Sequence, residues 1–157
     1  MDYIEKKGYS YSKSKEQAKI MQLFSARFTK YMNAPRPFLL PTNTTVREVY
    51  ILATIEEHPG ILTVEIAKIW DVTPGAISQV VKKLKERDFL DCKKEDGNAK
   101  LVHLYTTEKG SALVKEHEAY IINRWDKVEK EVLANYSMEE VDQFFKMMGV
   151  LSEFYNA

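Results

Sequence analysis

After Ser14 the apolar residues fall into step. Ile20, Leu23, Phe24, Phe28 and Tyr31 recur at three- and four-residue spacing, with Lys19, Gln22 and Lys30 among the polar positions between them. That is one face of an amphipathic helix. Pro35 ends it, because proline lacks an amide donor and disfavours helical backbone in the residue before it. Residues 1–13 show no such period and read as a loosely ordered arm rich in Tyr, Lys and Ser. The run Ala34 to Pro41 holds three of the five prolines and reads as an extended connector. A second helix starts near Thr44 or Thr45, either of which can cap it, and carries Val46, Val49, Tyr50, Leu52, Ala53 and Ile55 as far as His58-Pro59-Gly60.

Two short helices follow. Val64, Ile66, Ala67, Ile69 and Trp70 fit a first one over 63–70. Thr73 then offers a capping hydroxyl directly before Pro74 at the first helical position, where a missing amide costs nothing. Val72 and Ile77 stand at the spacing of a hydrophobic staple. The second helix runs from Pro74 to about Arg87, with Ile77, Val80, Val81 and Leu84 inward and Gly75, Ala76, Ser78, Gln79, Lys82 and Lys83 outward. Beyond it, Phe89 to Lys94 and Lys100 to Tyr105 flank a polar tip containing Asp96-Gly97. Val102, Leu104 and Thr106 alternate with Leu101, His103 and Tyr105, so this segment is a two-stranded hairpin. A hairpin directly after a helix-turn-helix is a wing.

Thr106 to Gly110 opens a long helix in which Leu113, His117, Tyr120, Ile121, Trp125, Val128 and Val132 continue to about Tyr136. Roughly 28 helical residues extend about 42 Å, longer than a domain of this size is wide. Ser137 can cap a last helix bearing Val141, Phe144, Phe145, Met148, Leu151 and Phe154. A second copy of the chain is the simplest cover for the apolar stripes at both ends, which implies a two-fold dimer. The fold class is therefore mainly α (α+β): a winged helix-turn-helix with a two-stranded wing, whose N- and C-terminal helices form a dimerisation layer. All of 1–157 reads as a single domain, with 14–33 and 107–155 as the dimer layer and 44–106 as the winged body.

Charge changes this picture by its distribution. The 157 residues carry 23 basic and 23 acidic side chains, so a uniformly basic coat is excluded. Residues 1–60 hold nine basic and six acidic residues, 61–110 nine and eight, and 111–157 five and nine, giving a basic front and an acidic tail. The 74–87 helix is cationic, and Lys93, Lys94 and Lys100 follow on the hairpin. Cations beside Ser78 and Gln79 suit phosphate and base contact together. No apolar run approaches the ~20 residues of a membrane span, no signal-peptide pattern occurs, and the lone Cys92 fits a reducing compartment. A cytoplasmic protein without membrane contact is expected.

Catalytic and metal-binding motifs are missing: HExxH, CxxC, GxGxxG and GxxxxGK[ST] do not occur. His58, His103 and His117 lie on different elements and read as structural or solvated, and Cys92 as an inert thiol. No enzyme, metal or cofactor is expected. The aromatic and methionine stripes read as core or dimer packing. An apolar cleft for a small molecule is expected where Tyr31, Arg36 and Phe38 of the connector, and Tyr50 approach the winged body.

The order of parts, together with Glu65-Ile66-Ala67, the run from Val72-Thr73-Pro74 to Leu84, and the run Asn98 to Gly110 ending in Thr107-Glu108-Lys109-Gly110, resembles the MarR family of winged helix-turn-helix transcriptional regulators. The resemblance implies a homodimer bound to a pseudo-palindromic operator on double-stranded DNA, usually as a repressor, and in many members released by a small lipophilic or phenolic effector or an oxidant. It makes Pro74 to Arg87 the recognition helix and the hairpin near Asn98 to Lys100 the wing that reaches towards the minor groove. Where the family's wing usually carries Asp-x-Arg, this chain has Asn98-Ala99-Lys100, and lysine lacks the planar fork that suits a narrow groove. The expected DNA-binding residues are Thr73, Pro74, Gly75, Ala76, Ser78, Gln79, Lys82 and Lys83 on the helix and Lys93, Lys94, Asn98 and Lys100 on the wing. Gln79 can pair with adenine and Ser78 with several bases, while Lys82 and Lys83 hold phosphates. Zero net charge and the absent wing arginine motivate the alternative, a winged-helix protein-interaction module without DNA binding.

Overall fold

The computed structural model describes residues 11–36, 43–95 and 98–154. The arm before Tyr11, Phe38 with the rest of 37–42, and the Asp96-Gly97 tip lie outside them. The elements are α1 (Tyr11–Asn33), β1 (Pro35–Arg36), β2 (Thr44–Thr45), α2 (Val46–Glu57), α3 (Thr63–Ile69), α4 (Pro74–Glu86), β3 (Leu90–Glu95), β4 (Asn98–Thr106), α5 (Glu108–Leu133) and α6 (Met138–Phe154). They divide into two compact units, Met1–Glu116 and His117–Ala157.

In the first unit, α1 begins at Tyr11, so residues 11–13 are helical rather than part of an arm. Lys, Glu, Gln and Ala in this stretch are good helix formers, and no breaker separates them from the amphipathic run. Pro35 and Arg36 pair antiparallel with Thr45 and Thr44, a two-residue ribbon that a reading of the connector as merely extended does not contain. Proline is tolerated there because it opens the strand. Thr45 caps α2 in a reciprocal box: its hydroxyl accepts the Glu48 amide at 3.2 Å, and Glu48 Oε2 accepts the Thr45 amide at 2.9 Å.

The core lies beneath the helix-turn-helix. Val49, Ile51, Leu52 and Ile55 of α2 pack with Ile66 and Ala67 of α3, Ile77 and Leu84 of α4, and Phe89, Leu90, Leu104, Leu113 and Val114, all buried. Each large side chain so buried contributes roughly 1.5–3 kcal/mol relative to exposure. Register decides the inner face of the wing. Cys92 faces Leu104 and Lys94 faces Val102 on one side, while Asp91 faces Tyr105 and Lys93 faces His103 on the other. Because Leu90 and Leu104 are buried, the first set points inward. A third rung joins this sheet: Gly60 donates to the Leu104 carbonyl at 2.8 Å, Leu104 donates to Ile61 at 3.2 Å, and Leu62 bridges His103. Gly60 takes a φ of +89° to turn into it.

The wing returns to α5 through a tight junction. The Thr107 hydroxyl donates to the Asp88 carbonyl at 2.8 Å and accepts the Gly110 amide at 3.0 Å, and the Thr107 amide donates to Phe89. Gly110 sits so close that a Cβ there would stand 2.1 Å from the Phe89 carbonyl oxygen. The Thr-x-x-Gly spacing thus encodes a cap followed by the one residue small enough for the approach. Glu56 adds a second tie, its Oε2 accepting the Thr106 hydroxyl and, at 2.8 Å, the Ser111 hydroxyl.

The second unit comprises the rest of α5 and α6. Ser137 caps α6 with Glu140, whose Oε2 accepts the Ser137 amide at 2.8 Å and hydroxyl at 3.0 Å. These bonds hold the Glu140 carboxyl below the usual carboxylate range. Trp125 meets Phe145 edge-on at 6.3 Å, and Phe145 meets Phe144 at 5.5 Å. His117 is buried, and burial pushes its pKa below the ordinary histidine value. No helix among the described residues is long and apolar enough to cross a membrane.

Two outcomes are expected. Gly110→Ala must move backbone and should cost about 3 kcal/mol or more in urea unfolding, whereas Ala112→Ser, at the exposed position two residues on, should change stability by less than about 0.5 kcal/mol. His117 resists a proton that the unfolded chain accepts. Its contribution to stability is therefore whole above about pH 6.5 and declines as pH falls below that towards the depressed folded value. His117→Phe should flatten this part of the stability–pH curve, and an unchanged slope between pH 5 and 7 would contradict the assignment.

Candidate nucleic-acid interface

The interface candidate is the outer face of α4, and each third of this helix is held by a different kind of contact. At its start the Thr73 hydroxyl accepts the Ala76 amide at 3.2 Å, with Pro74 at the first position and half-buried Val72 packed against the core cluster to which Ile77 belongs. Asp71 adopts a φ of 48° to reverse the chain between α3 and α4, a conformation for which aspartate is among the better non-glycine residues. In the middle, Ile77 and Leu84 anchor the helix in the core, leaving Gly75, Ala76, Ser78, Gln79 and Lys82 exposed. The Ser78 hydroxyl donates to the Pro74 carbonyl at 2.9 Å, so its lone pairs face outward as acceptors.

The last third is electrostatic. Glu48, with a side chain only 5% exposed, holds Arg87 Nη1 at 3.2 Å on one oxygen and Lys83 Nζ at 3.7 Å on the other. Lys82 pairs at 3.9 Å with Glu86 on the open surface, where both are well exposed; such a pair is worth a few tenths of a kcal/mol and yields readily to a better anion. Lys82 and Lys83 are adjacent in sequence but differ in circumstance. One is loosely screened in solvent, and the other is drawn to a buried carboxylate.

On the wing, Lys93 Nζ lies 4.8 Å from the centre of the Tyr105 ring on the outer face, while Lys94 is exposed on the other. Asn98, Ala99 and Lys100 open β4. His103 Nδ1 and the Gly60 carbonyl are 2.8 Å apart, which gives that histidine a structural partner. Cys92 is half-buried against the core. Among the described residues, no three or more His, Cys, Asp or Glu side chains gather to hold a metal ion.

Of the residues expected to line a ligand cleft, Tyr31 and Tyr50 come near enough for the Tyr31 phenol, after burial, to add to the upward push on the Tyr50 pKa. Tyr50 also lies 6.0 Å from Trp70, whose indole donates to Thr54 Oγ1 at 3.1 Å. Arg36 pairs through its backbone with Thr44; Phe38 lies outside the described residues.

Residues 42–100 match the family model described as the MarR family. Over that stretch, somewhat under half of the chain, the sequence is similar to that family. Its members are transcription regulators and not enzymes. The chain is 26% identical over 113 residues to the HTH-type transcriptional repressor Rv2887 of Mycobacterium tuberculosis, covering 72% of this chain and 78% of that protein. Among solved structures, Streptococcus pneumoniae FabT in complex with DNA aligns with a TM-score of 0.68 at 16% identity, over 88% of this chain and 96% of FabT. The crystal structure of MarR aligns at 0.56 and 25% identity, over 72% of this chain and 74% of that one. The family match begins just before the α2 cap and ends on the wing, spanning the helix-turn-helix whole.

The candidate interface includes two residues that sequence reasoning did not single out. Glu48 was legible only as the fourth member of a Thr-x-x-Glu capping box, and nothing local announces that its other contacts lie 35 and 39 positions on. Arg87 was visible only as a helix end. For the α4 cap, Thr73→Ala should lower stability by about 1 kcal/mol in chemical unfolding, with Thr73→Ser retaining most of it. Equal loss in both variants would assign the cost to the methyl group rather than the cap.

Proposed function

We propose that this chain is a homodimeric, sequence-specific DNA-binding repressor that reads a pseudo-palindromic operator through α4. The observation carrying this reading is the outer face of α4: small residues Gly75 and Ala76 permit close approach, Ser78 and Gln79 offer base-directed groups, and Lys82 stands one turn on to meet a phosphate. Thr73 and Pro74 fix where the helix starts on the groove. Lys93, Lys94, Asn98 and Lys100 are assigned to the wing's phosphate contacts, with lysine in place of arginine making those contacts weakly sequence-selective. The names of FabT in complex with DNA and of the Mycobacterium repressor support the same reading.

Dimerisation is assigned to residues near 14–33 and 107–155, and DNA binding to 44–106, within one domain. Support comes from large apolar side chains exposed on each helix taken by itself: Ile20, Phe24 and Phe28 on α1, Ile122 and Trp125 on α5, and Phe144, Met147 and Val150 on α6. A monomer seldom leaves so many large apolar side chains open. A small lipophilic or phenolic effector is assigned to the neighbourhood of Tyr31 and Tyr50, on the strength of two half-buried phenols within electrostatic reach.

Selection from a random duplex pool tests function and symmetry together. Two-fold related half-sites about 10–10.5 base pairs apart are expected. Gln79→Ala should reduce discrimination between operator variants, and Lys82→Met should weaken all duplexes alike while flattening the salt dependence by about one unit in log–log slope. Failure to bind any duplex even at low salt would favour a protein-interaction module instead.

A further inference from the structure

We propose that Glu48 sets the DNA selectivity of α4 by neutralising two of its cations from within the protein. The inference rests on the DNA-binding reading above and assigns Glu48 as a positioning residue that need not touch DNA itself.

Glu48 has two separable tasks. As the third residue of α2 it accepts the Thr45 amide at 2.9 Å, which requires an oxygen acceptor but no charge; glutamine serves equally well in this box. Its negative charge is not needed for the cap, and burying a carboxylate is costly unless cations meet it. The charge is spent on Lys83 at 3.7 Å and Arg87 at 3.2 Å. The stretch 74–87 contains four cations, Lys82, Lys83, Lys85 and Arg87, so one buried carboxylate occupies half of them.

Both held cations remain within reach of a competing anion, with side chains 57% and 33% exposed. Lys83 stands four residues after Gln79, on the same flank of the helix. A phosphate beside the base that Gln79 reads would find Lys83 already pulled towards Glu48. Binding to random sequence comes almost wholly from phosphate neutralisation and counterion release, whereas base contacts depend on α4 geometry. An internal carboxylate that screens cations therefore suppresses random-sequence binding more than operator binding.

The test compares wild type, Glu48→Gln, Lys83→Met and their double variant on a selected operator and on random duplex, from low to moderate salt, with thermal unfolding in parallel. Glu48→Gln should bind random duplex more tightly, steepen the log–log salt slope by about one unit, and lower the operator-to-random ratio. Adding Lys83→Met should remove most of that gain. In the wild-type background Lys83→Met should change the slope much less than Lys82→Met does, a comparison that stands even if Glu48→Gln fails to fold. A folded Glu48→Gln with the wild-type slope overturns the proposal, as does Lys83→Met flattening the slope as much as Lys82→Met. Wild type that binds no duplex at low salt overturns the DNA reading, and this inference with it.

Discussion

A carboxylate removed from water must be met by cations and donors, and Glu48 meets this requirement by joining two ends of the winged body. Its oxygens link the first turn of α2 to the last turn of α4 through Arg87 and Lys83, and to the backbone at Thr45. The charge-assisted bond from Arg87 at 3.2 Å contributes about 1.5–3 kcal/mol, against a few tenths for the exposed Lys82–Glu86 pair. The orientation of α4 depends on that difference. Apolar packing of Ile77 and Leu84 buries one face of the helix but tolerates rotation and sliding, because dispersion is non-directional. A hydrogen-bonded ion pair at one end and the Thr73 cap at the other remove that freedom.

The wing is joined to the same body by directional contacts beside the buried Phe89, Leu90 and Leu113. Thr107 and Gly110 fasten the start of α5 against the Asp88 and Phe89 carbonyls, and Lys109 adds a bond to the Arg87 carbonyl at 2.7 Å while its ammonium lies 4.8 Å from the Phe89 ring centre. Arg87 is thereby engaged twice, through its guanidinium by Glu48 and through its carbonyl by Lys109. The end of α4 and the start of the wing form one joint, with Asp88 at a φ of 63° as its turning point.

Much of this was legible along the chain because local rules carry it. The Thr73-Pro74 opening, the Val72–Ile77 staple, the Ser137 cap and the alternation of the wing strands each depend on residues within five positions, and all appear within a residue or two of where the pattern puts them. What the pattern could not supply is long-range. The Pro35–Arg36 and Thr44–Thr45 ribbon, the third rung from Gly60 to Leu62, and the Glu48–Arg87 pair join residues whose own neighbourhoods favour no partner. The same limit governs the candidate site. Periodicity put Lys82 and Lys83 together on the outer face, but at 100° per residue two adjacent lysines point to different flanks, and only the fold shows that one flank overlooks a buried acid.

Net charge of zero first weighs against a polyanionic partner, since phosphate attraction scales with cations in excess. The geometry shows why the sum misleads: a surface potential counts charges where they stand, and acids differ greatly in what they cancel. Glu86 at the surface screens Lys82 weakly through water, whereas Glu48, itself buried, stands 3.2 Å from Arg87 and 3.7 Å from Lys83. The acidic residues beyond 110 belong largely to the second unit, and salt shortens their reach to about 8–10 Å. On the reading of α4 proposed above, attraction to DNA depends more on the few charges around that helix than on the sum over the chain. On that proposal, affinity for phosphate stays low enough for base contacts to decide where the protein binds.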